Sequence, residues 1–223
     1  MIAALSSLSF VSSAVTYPTY DQSYWEERWS GVLFEHSDQV ARRPPNAHLI
    51  GEVENMRPGI ALDAGCGHGA DTLWLAARGW QVTAVDFSAT ALTHARSTAE
   101  AMGADVDGRI DWVEGDLATW APQPGHYDLV VCLYVHAARS VKEMVRRMAT
   151  GVASGGILLF VGHRPVDPAT GAATTAAGQT QVSVDTAVAA LDPERWKFIV
   201  AEDRPRAVAG SGVDAVICAR RLS

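Results

Sequence analysis

Apolar and polar positions along the chain change period again and again, and the changes mark out its elements. Ile60-Ala-Leu62 is a continuous apolar run, which is what a strand buried on both faces requires. Gly65, Gly67 and Gly69 interrupt it, and Asp71-Thr-Leu-Trp-Leu-Ala-Ala-Arg78 then carries helical spacing up to Gly79, a suitable stop. The alternation repeats with Val82 to Asp86 as a strand. A helix follows from a Ser88 cap to Met102, with Ala91, Leu92, Ala95 and Ala99 on one face and Gly103 at its end. Ile110 to Leu117 and Tyr127 to Val135 read as the third and fourth strands, separated by a loop over Trp120–Gly125. Ser140 caps a helix from Val141 to Ala149, and Gly155-Gly156 opens a fifth strand to Val161. Residues 162–180 shift to Ala, Thr, Gly and Pro without a period, so a long active-site loop is expected there. Ser183 to Leu191 is a short helix, and Trp196–Ala201 and Val213–Ala219 form a last strand pair. Strands alternating with helices predict an α/β domain around a mostly parallel sheet.

The N-terminal part reads differently. Residues 1–16 are expected as a flexible leader, residues 17–57 as a helical cap, and residues 17–223 as a single domain. Asp21 is placed to cap a helix on which Tyr24, Trp25 and Trp29 fall about a turn apart, a stripe able to pack on the domain and cover a ligand. Gly31 to Pro45 is expected as a loop or broken helix, and Asn46 to Val53 as a short helix. His36 and His48 read as surface residues; His36 carries a second reading as a substrate contact.

Composition narrows the class. The chain has 223 residues, 48% hydrophobic and 19% charged, which suits one soluble domain. A net charge of −7 argues against a nucleic-acid partner, and the basic residues from Arg139 to Arg147 read as a solvated helix face. No apolar run approaches the length that crosses a bilayer. The leader has small residues at Ser12-Ser13-Ala14 but no positive start, so it lacks the form of a signal peptide. Cys66, Cys132 and Cys218 match no zinc spacing and are expected reduced and buried, in a cytoplasmic protein.

The glycine turn is where ligand chemistry concentrates. Absent Cβ atoms let a ligand approach the backbone, and the following helix aims its free amides and positive dipole end there. Gly65-x-Gly67-x-x-Ala70 satisfies the loose dinucleotide fingerprint. Asp86, about 20 residues on, stands where a ribose-binding carboxylate belongs. This much leaves two cofactors open.

Asp63 with Gly65, Gly67 and Gly69, the acid Asp86, the corner Gly115-Asp116-Leu117 and the strand start Tyr127-Asp128 together resemble the class I S-adenosylmethionine-dependent methyltransferases. The resemblance runs from about Tyr24 to Leu222 and leans toward the small bacterial metabolite enzymes allied to the tellurite-resistance and thiopurine types. It implies a Rossmann-like, seven-stranded sheet in the order 3-2-1-4-5-7-6, with the last strand reversed and helices on both faces. It also implies S-adenosyl-L-methionine as cofactor. Gly65, Cys66, Gly67 and Gly69 would line it, Asp63 would sit near its ammonium group, and Asp86 would take the ribose hydroxyls. Asp116 and Leu117 would hold the adenine, Phe87 would lie against the ring, and Trp25 and Trp29 would cover it.

Acceptor chemistry belongs at the carboxyl ends of the fourth and fifth strands. His136 and His163 are therefore the candidate bases, with Tyr134 and Arg164 as substrate contacts and Arg164 as a clamp for an anion. A metal role for the two histidines has no carboxylate partner at ligand spacing. The leading expectation is an enzyme methylating oxygen, nitrogen or sulfur of a small, partly aromatic metabolite by in-line displacement. A nicotinamide-dependent oxidoreductase and a non-catalytic cofactor-binding module are the other readings. Leu133-Tyr-Val-His136 stands where an Asn-Pro-Pro-Tyr element would mark methylation of bases or protein amides.

Overall fold

The computed structural model describes residues 20–136, 140–164, 170–171, 182–206 and 212–223. The leader expected at 1–16 and most of the loop expected at 162–180 lie outside the described residues. Strands β1 (Ile60–Ala64), β2 (Gln81–Asp86), β3 (Ile110–Glu114), β4 (Tyr127–Leu133), β5 (Val152–Arg164), β6 (Trp196–Pro205) and β7 (Val213–Arg221) form one sheet. Its order is β3-β2-β1-β4-β5-β7-β6, with β7 antiparallel to both neighbours and every other pairing parallel. This is the sheet that the resemblance implied.

Helices cover both faces. On one lie α2 (Ala47–Val53), α3 (Ala70–Ala77) and α4 (Ala89–Met102), where Leu49, Val53, Leu75 and Trp80 pack on Ala61, Leu129, Leu159 and Val216. On the other lie α6 (Val141–Gly151) and α7 (Val184–Val188), where Met144, Val145 and Met148 pack on Leu62, Val130 and Leu158. A short α5 (Ala104–Asp107), absent from the sequence pattern, follows Gly103. Because β1 and β4 run side by side while their crossovers leave in opposite directions, a crevice opens at their carboxyl ends.

Three departures from the sequence pattern shape that crevice. Helix α1 (Gln22–Ala41), 20 residues in all, runs on past Gly31 through a kink at His36 (φ −139°, ψ 27°), so the segment is the broken helix and not the loop. Strand β4 ends at Leu133, and Tyr134 turns into the left-handed region (φ 55°), an uncommon conformation for a residue with a Cβ. Strand β5 reaches from Val152 to Arg164, because β7 pairs with it through His163↔Asp214 and Arg164↔Val213.

The basic residues of α6 do more than face solvent. Arg146 Nε donates to the carbonyl of Ala190 (3.3 Å) and Arg147 Nη1 to that of Trp120 (3.4 Å), so both brace neighbouring segments. All three cysteines are buried and free. Burial holds their thiols above the ordinary range, with Cys218 pushed up to about 12.

Candidate active site

The turn after β1 adopts positive φ at Gly65, Gly67 and Gly69 (82°, 50° and 84°). At all three positions space favours glycine as well. A Cβ on Gly65 would lie 2.4 Å from Val135 Cγ2, and one on Gly67 would press the Trp29 ring at 3.0 Å. Gly65 N and Cys66 N both donate to the Val85 carbonyl (2.8 and 3.0 Å), fastening the turn to β2. Asp86, at the end of β2, accepts from Gly67 N through Oδ2 and from Ser88 N through Oδ1, both at 2.9 Å. Burial pushes the Asp86 carboxyl up, and the amides of Ser88, Gly67 and Phe87 partly offset the shift. One side chain thus shapes the cradle and sets the start of α4.

A cavity of about 500 Å³ opens over this turn. Toward β2 and β3 its wall includes Asp86, Phe87, Asp116 and Leu117; toward β4 and β5 it includes Tyr134, His136 and His163. Asp116 Oδ1 accepts from Ala118 N at 2.8 Å, which orients the carboxylate at the corner. Gly65, Cys66 and Gly67 line the cavity. Gly69 instead begins α3 beneath it, where a Cβ would meet Ala95 at 2.8 Å.

Helix α1 lies across the opening as the aromatic stripe predicts. Trp25 stacks on His136 with ring centres 5.5 Å apart and planes 5° from parallel, and Trp29 approaches His68 at 5.4 Å. Polar clasps hold it to the segment after β2. Gln22 Nε2 donates to the Phe87 carbonyl at 2.9 Å, and Glu26 Oε1 accepts from Thr90 N at 3.1 Å and from the Thr90 hydroxyl.

A second polar cluster sits behind the wall near β4 and β5. Asp214, fully buried on β7, accepts from the Tyr134 hydroxyl (2.7 Å) and from Arg206 Nε (2.8 Å). His163 Nδ1 lies 3.2 Å and His48 Nε2 3.4 Å from its carboxylate. Burial works against the charge on Asp214, but hydrogen bonds from His163, His48, Arg206 and Tyr134 outweigh it and hold the carboxyl well below its usual range. The Tyr134 phenol is raised, first by burial and then by Asp214. Tyr134 also stacks on His163 with centroids 4.3 Å apart, so the hydroxyl bond and the stack together hold its left-handed backbone. His136 is pushed down to about 4 by burial, by His163 and by Arg28, and its buried Nδ1 has no hydrogen-bond partner.

Four sequence candidates stand elsewhere. Asp63 does not line the cavity; it lies under the turn and accepts the Thr72 hydroxyl at 2.5 Å, joining β1 to the first turn of α3. Asp71, by contrast, lines the cavity, and its Oδ1 accepts from Asn46 N at 2.7 Å. Arg164 faces away, because successive side chains of a strand alternate. It pairs with Asp203 of β6 at 3.4 Å, so it is no clamp at this wall. His36 is exposed at the α1 kink beside Glu35 and does not reach the cavity. Gly69 lies below, as described.

Sequence reasoning missed Arg28, Arg43 and His68 on the wall and Asp214 behind it. Asp214 had a signal: a lone carboxylate inside the apolar run Val213-Asp-Ala-Val-Ile-Cys218 must find donors if the run is a buried strand. Among the described residues no group of three or more His, Cys, Asp or Glu side chains is placed to hold a metal ion.

Residues 61–156 match the family model described as a methyltransferase domain. The ribosomal RNA small subunit methyltransferase C of Alcanivorax borkumensis is 33% identical over 154 residues, covering 60% of this chain and 46% of that protein. The trans-aconitate 2-methyltransferase of Paracidovorax citrulli is 32% identical over 137 residues, covering 58% and 48%. The chain therefore spans about half the length of the curated relatives it matches. Among solved structures, the magnesium protoporphyrin IX methyltransferase of Synechocystis PCC 6803 with bound SAH superposes with a TM-score of 0.63. That match has 18% identity and covers 91% of this chain and 96% of the other, a likeness of fold.

Proposed function

We propose that the protein binds S-adenosylmethionine and transfers its methyl group to a small acceptor, residues 61–156 being those that match the methyltransferase-domain family model. One observation carries the reading: the glycine turn at the end of β1, shaped by the carboxylate at the end of β2, opens into a cavity of about 500 Å³. A Cβ at Gly65 would press Val135 and one at Gly67 the Trp29 ring, both of which line the cavity.

The residues present fit the cofactor. A carboxylate has about four acceptor sites, so Asp86, met by the amides of Gly67, Ser88 and Phe87, keeps capacity to accept from the ribose. Asp116, oriented by Ala118 N, takes the adenine amino group, and Leu117 and Phe87 supply apolar contact. Asp71 and Arg43, both on the wall, suit the ammonium and carboxylate of the amino-acid end. Trp25 and Trp29 close over the site and exclude water, which strengthens each polar contact inside. When bound, S-adenosylmethionine supplies a methyl carbon already activated on a sulfonium. The protein's task is then to hold an acceptor in line with it, an effect worth roughly 7–11 kcal/mol of barrier.

Tyr134, His136 and His163 form the acceptor wall. A net charge of −7 and an enclosed aromatic wall support a small molecule over RNA, although one relative is named for ribosomal RNA. Saturation-transfer NMR with S-adenosylhomocysteine and NAD in the same tube tests the cofactor assignment. Transfer to the adenosine and homocysteine protons alone is expected; transfer to nicotinamide protons would reverse the assignment.

A further inference from the structure

Three carboxylates stand about the glycine turn: Asp63 in β1 beneath it, Asp71 in the first turn of α3 on the cavity wall, and Asp86 at the end of β2. Cys66, on the turn itself, reports how close they are, because after burial its thiol is raised by Asp63, Asp86 and Asp71 together. Among the described residues none of the three pairs with a Lys, Arg or His side chain. Each is met by neutral donors instead. Asp63 accepts from the Thr72 hydroxyl at 2.5 Å, Asp71 from Asn46 N at 2.7 Å, and Asp86 from Gly67 N and Ser88 N at 2.9 Å. Thr72 adjoins Asp71, so the bond that anchors Asp63 also brings the two carboxyl groups together.

Like charges in a buried cluster cannot all be kept, and a shared proton relieves them. Burial first and Asp71 second raise Asp63; burial also raises Asp71, against the amide of Asn46. The pair therefore retains a proton into a range where an exposed carboxylate would have lost it. The neighbouring groups offer that proton no other source. His68, on the same wall, is pushed down to about 4 by burial, Arg43 and His94, and a ligand carboxylate beside it could only draw a proton in. Arg43 lines the wall as a fixed cation. The raised Cys66 thiol keeps its proton throughout. Asp86 lies on the ribose side and would answer alike to any adenosine ligand.

We propose that Asp71 surrenders a proton when it receives the ammonium group of S-adenosylmethionine, which ties cofactor binding to proton release; the proposal rests on the methyl-transfer reading above. Asp63 takes no part in the contact and acts through Asp71, sharing the proton in the ligand-free protein. On binding, an O–H bond of the carboxyl pair breaks, its electrons stay on oxygen and the proton passes to the buffer. The ligand's ammonium keeps its own hydrogens, so one positive charge enters as another leaves. Binding that releases a proton tightens as pH rises, so cofactor affinity climbs through the range in which the pair titrates.

Calorimetric titration with S-adenosylhomocysteine and with methylthioadenosine, which lacks the amino-acid end, tests the proposal. The titrations are run near pH 6, the value to which burial pushes Asp71, in MES and in Bis-Tris, buffers of different ionisation heat. For S-adenosylhomocysteine the two heats should differ as the release of about half a proton per complex requires, while for methylthioadenosine they should agree. Asp71→Asn should remove the difference and weaken S-adenosylhomocysteine at least tenfold, with the affinity for methylthioadenosine unchanged. Equal heats in the two buffers for S-adenosylhomocysteine, or the same release with methylthioadenosine, would overturn the proposal, as would a release that survives Asp71→Asn. If S-adenosylhomocysteine itself failed to bind, the methyl-transfer reading would fall and this proposal with it.

Discussion

Asp63 is a carboxylate that the fold prefers uncharged. Burial first and the neighbouring Asp71 second push it up to about 7, while Asp71 is itself pushed up to about 6 by burial. A group whose folded pKa is raised contributes stability that is complete below the unfolded value and lost as pH rises through the folded one. The ligand-free protein should therefore lose stability steadily between pH 4 and pH 7, the window set by the ordinary carboxylate value and these raised ones. Urea denaturation at several pH values in that window should show the decline, and Asp63→Asn should flatten most of it. A decline of equal slope in the variant would place its origin elsewhere. Asp214 is the opposite case, held charged by hydrogen bonds from His163, His48, Arg206 and Tyr134. Asp214→Ala removes the carboxylate that four donors share, and removal of one side of such a buried cluster costs roughly 3–5 kcal/mol. A large drop in Tm is the expected result; a variant as stable as the parent would show that the cluster contributes nothing net.

Helix α1 is the element whose role is least fixed by its own sequence. Its aromatic stripe was legible as a packing face, yet nothing in residues 22–41 states that Glu26 reaches across to Thr90. Burial works against the charge on Glu26, but bonds from Ser88 and Thr90 prevail and lower its pKa. Glu26→Ala should speed amide hydrogen exchange through α1 while that of the sheet stays unchanged. Unchanged exchange in α1 would mean that Trp25 and Trp29 alone hold the helix down. The same contrast explains which parts of the site were readable. The glycine turn, Asp86 and the Asp116-Leu117 corner each lie in one stretch of chain, where φ angles and caps leave local marks. The histidine wall depends on β5 pairing with β7 across 51 residues, His163 to Asp214, a register that no local pattern encodes. Arg164, assigned to the site from its place beside His163, fell on the other face because a strand alternates. The end of β4 was overrun by two residues because Tyr134-Val135 continues the apolar pattern while the backbone turns.

At the scale of the whole molecule, the sheet order gathers the ends of β1, β2, β4 and β5 around one crevice and lets α1 cover it. Everything proposed for this protein depends on that crevice accepting an adenosine, with Asp86 receiving the ribose. Calorimetry with S-adenosylhomocysteine, run on the parent chain and on Asp86→Asn, tests this most directly. The parent should bind one equivalent, and the variant at least tenfold more weakly, since a hydrogen bond to a charged group is worth roughly 1.5–3 kcal/mol. No heat of binding at millimolar ligand, or equal affinity in the two proteins, would contradict the account.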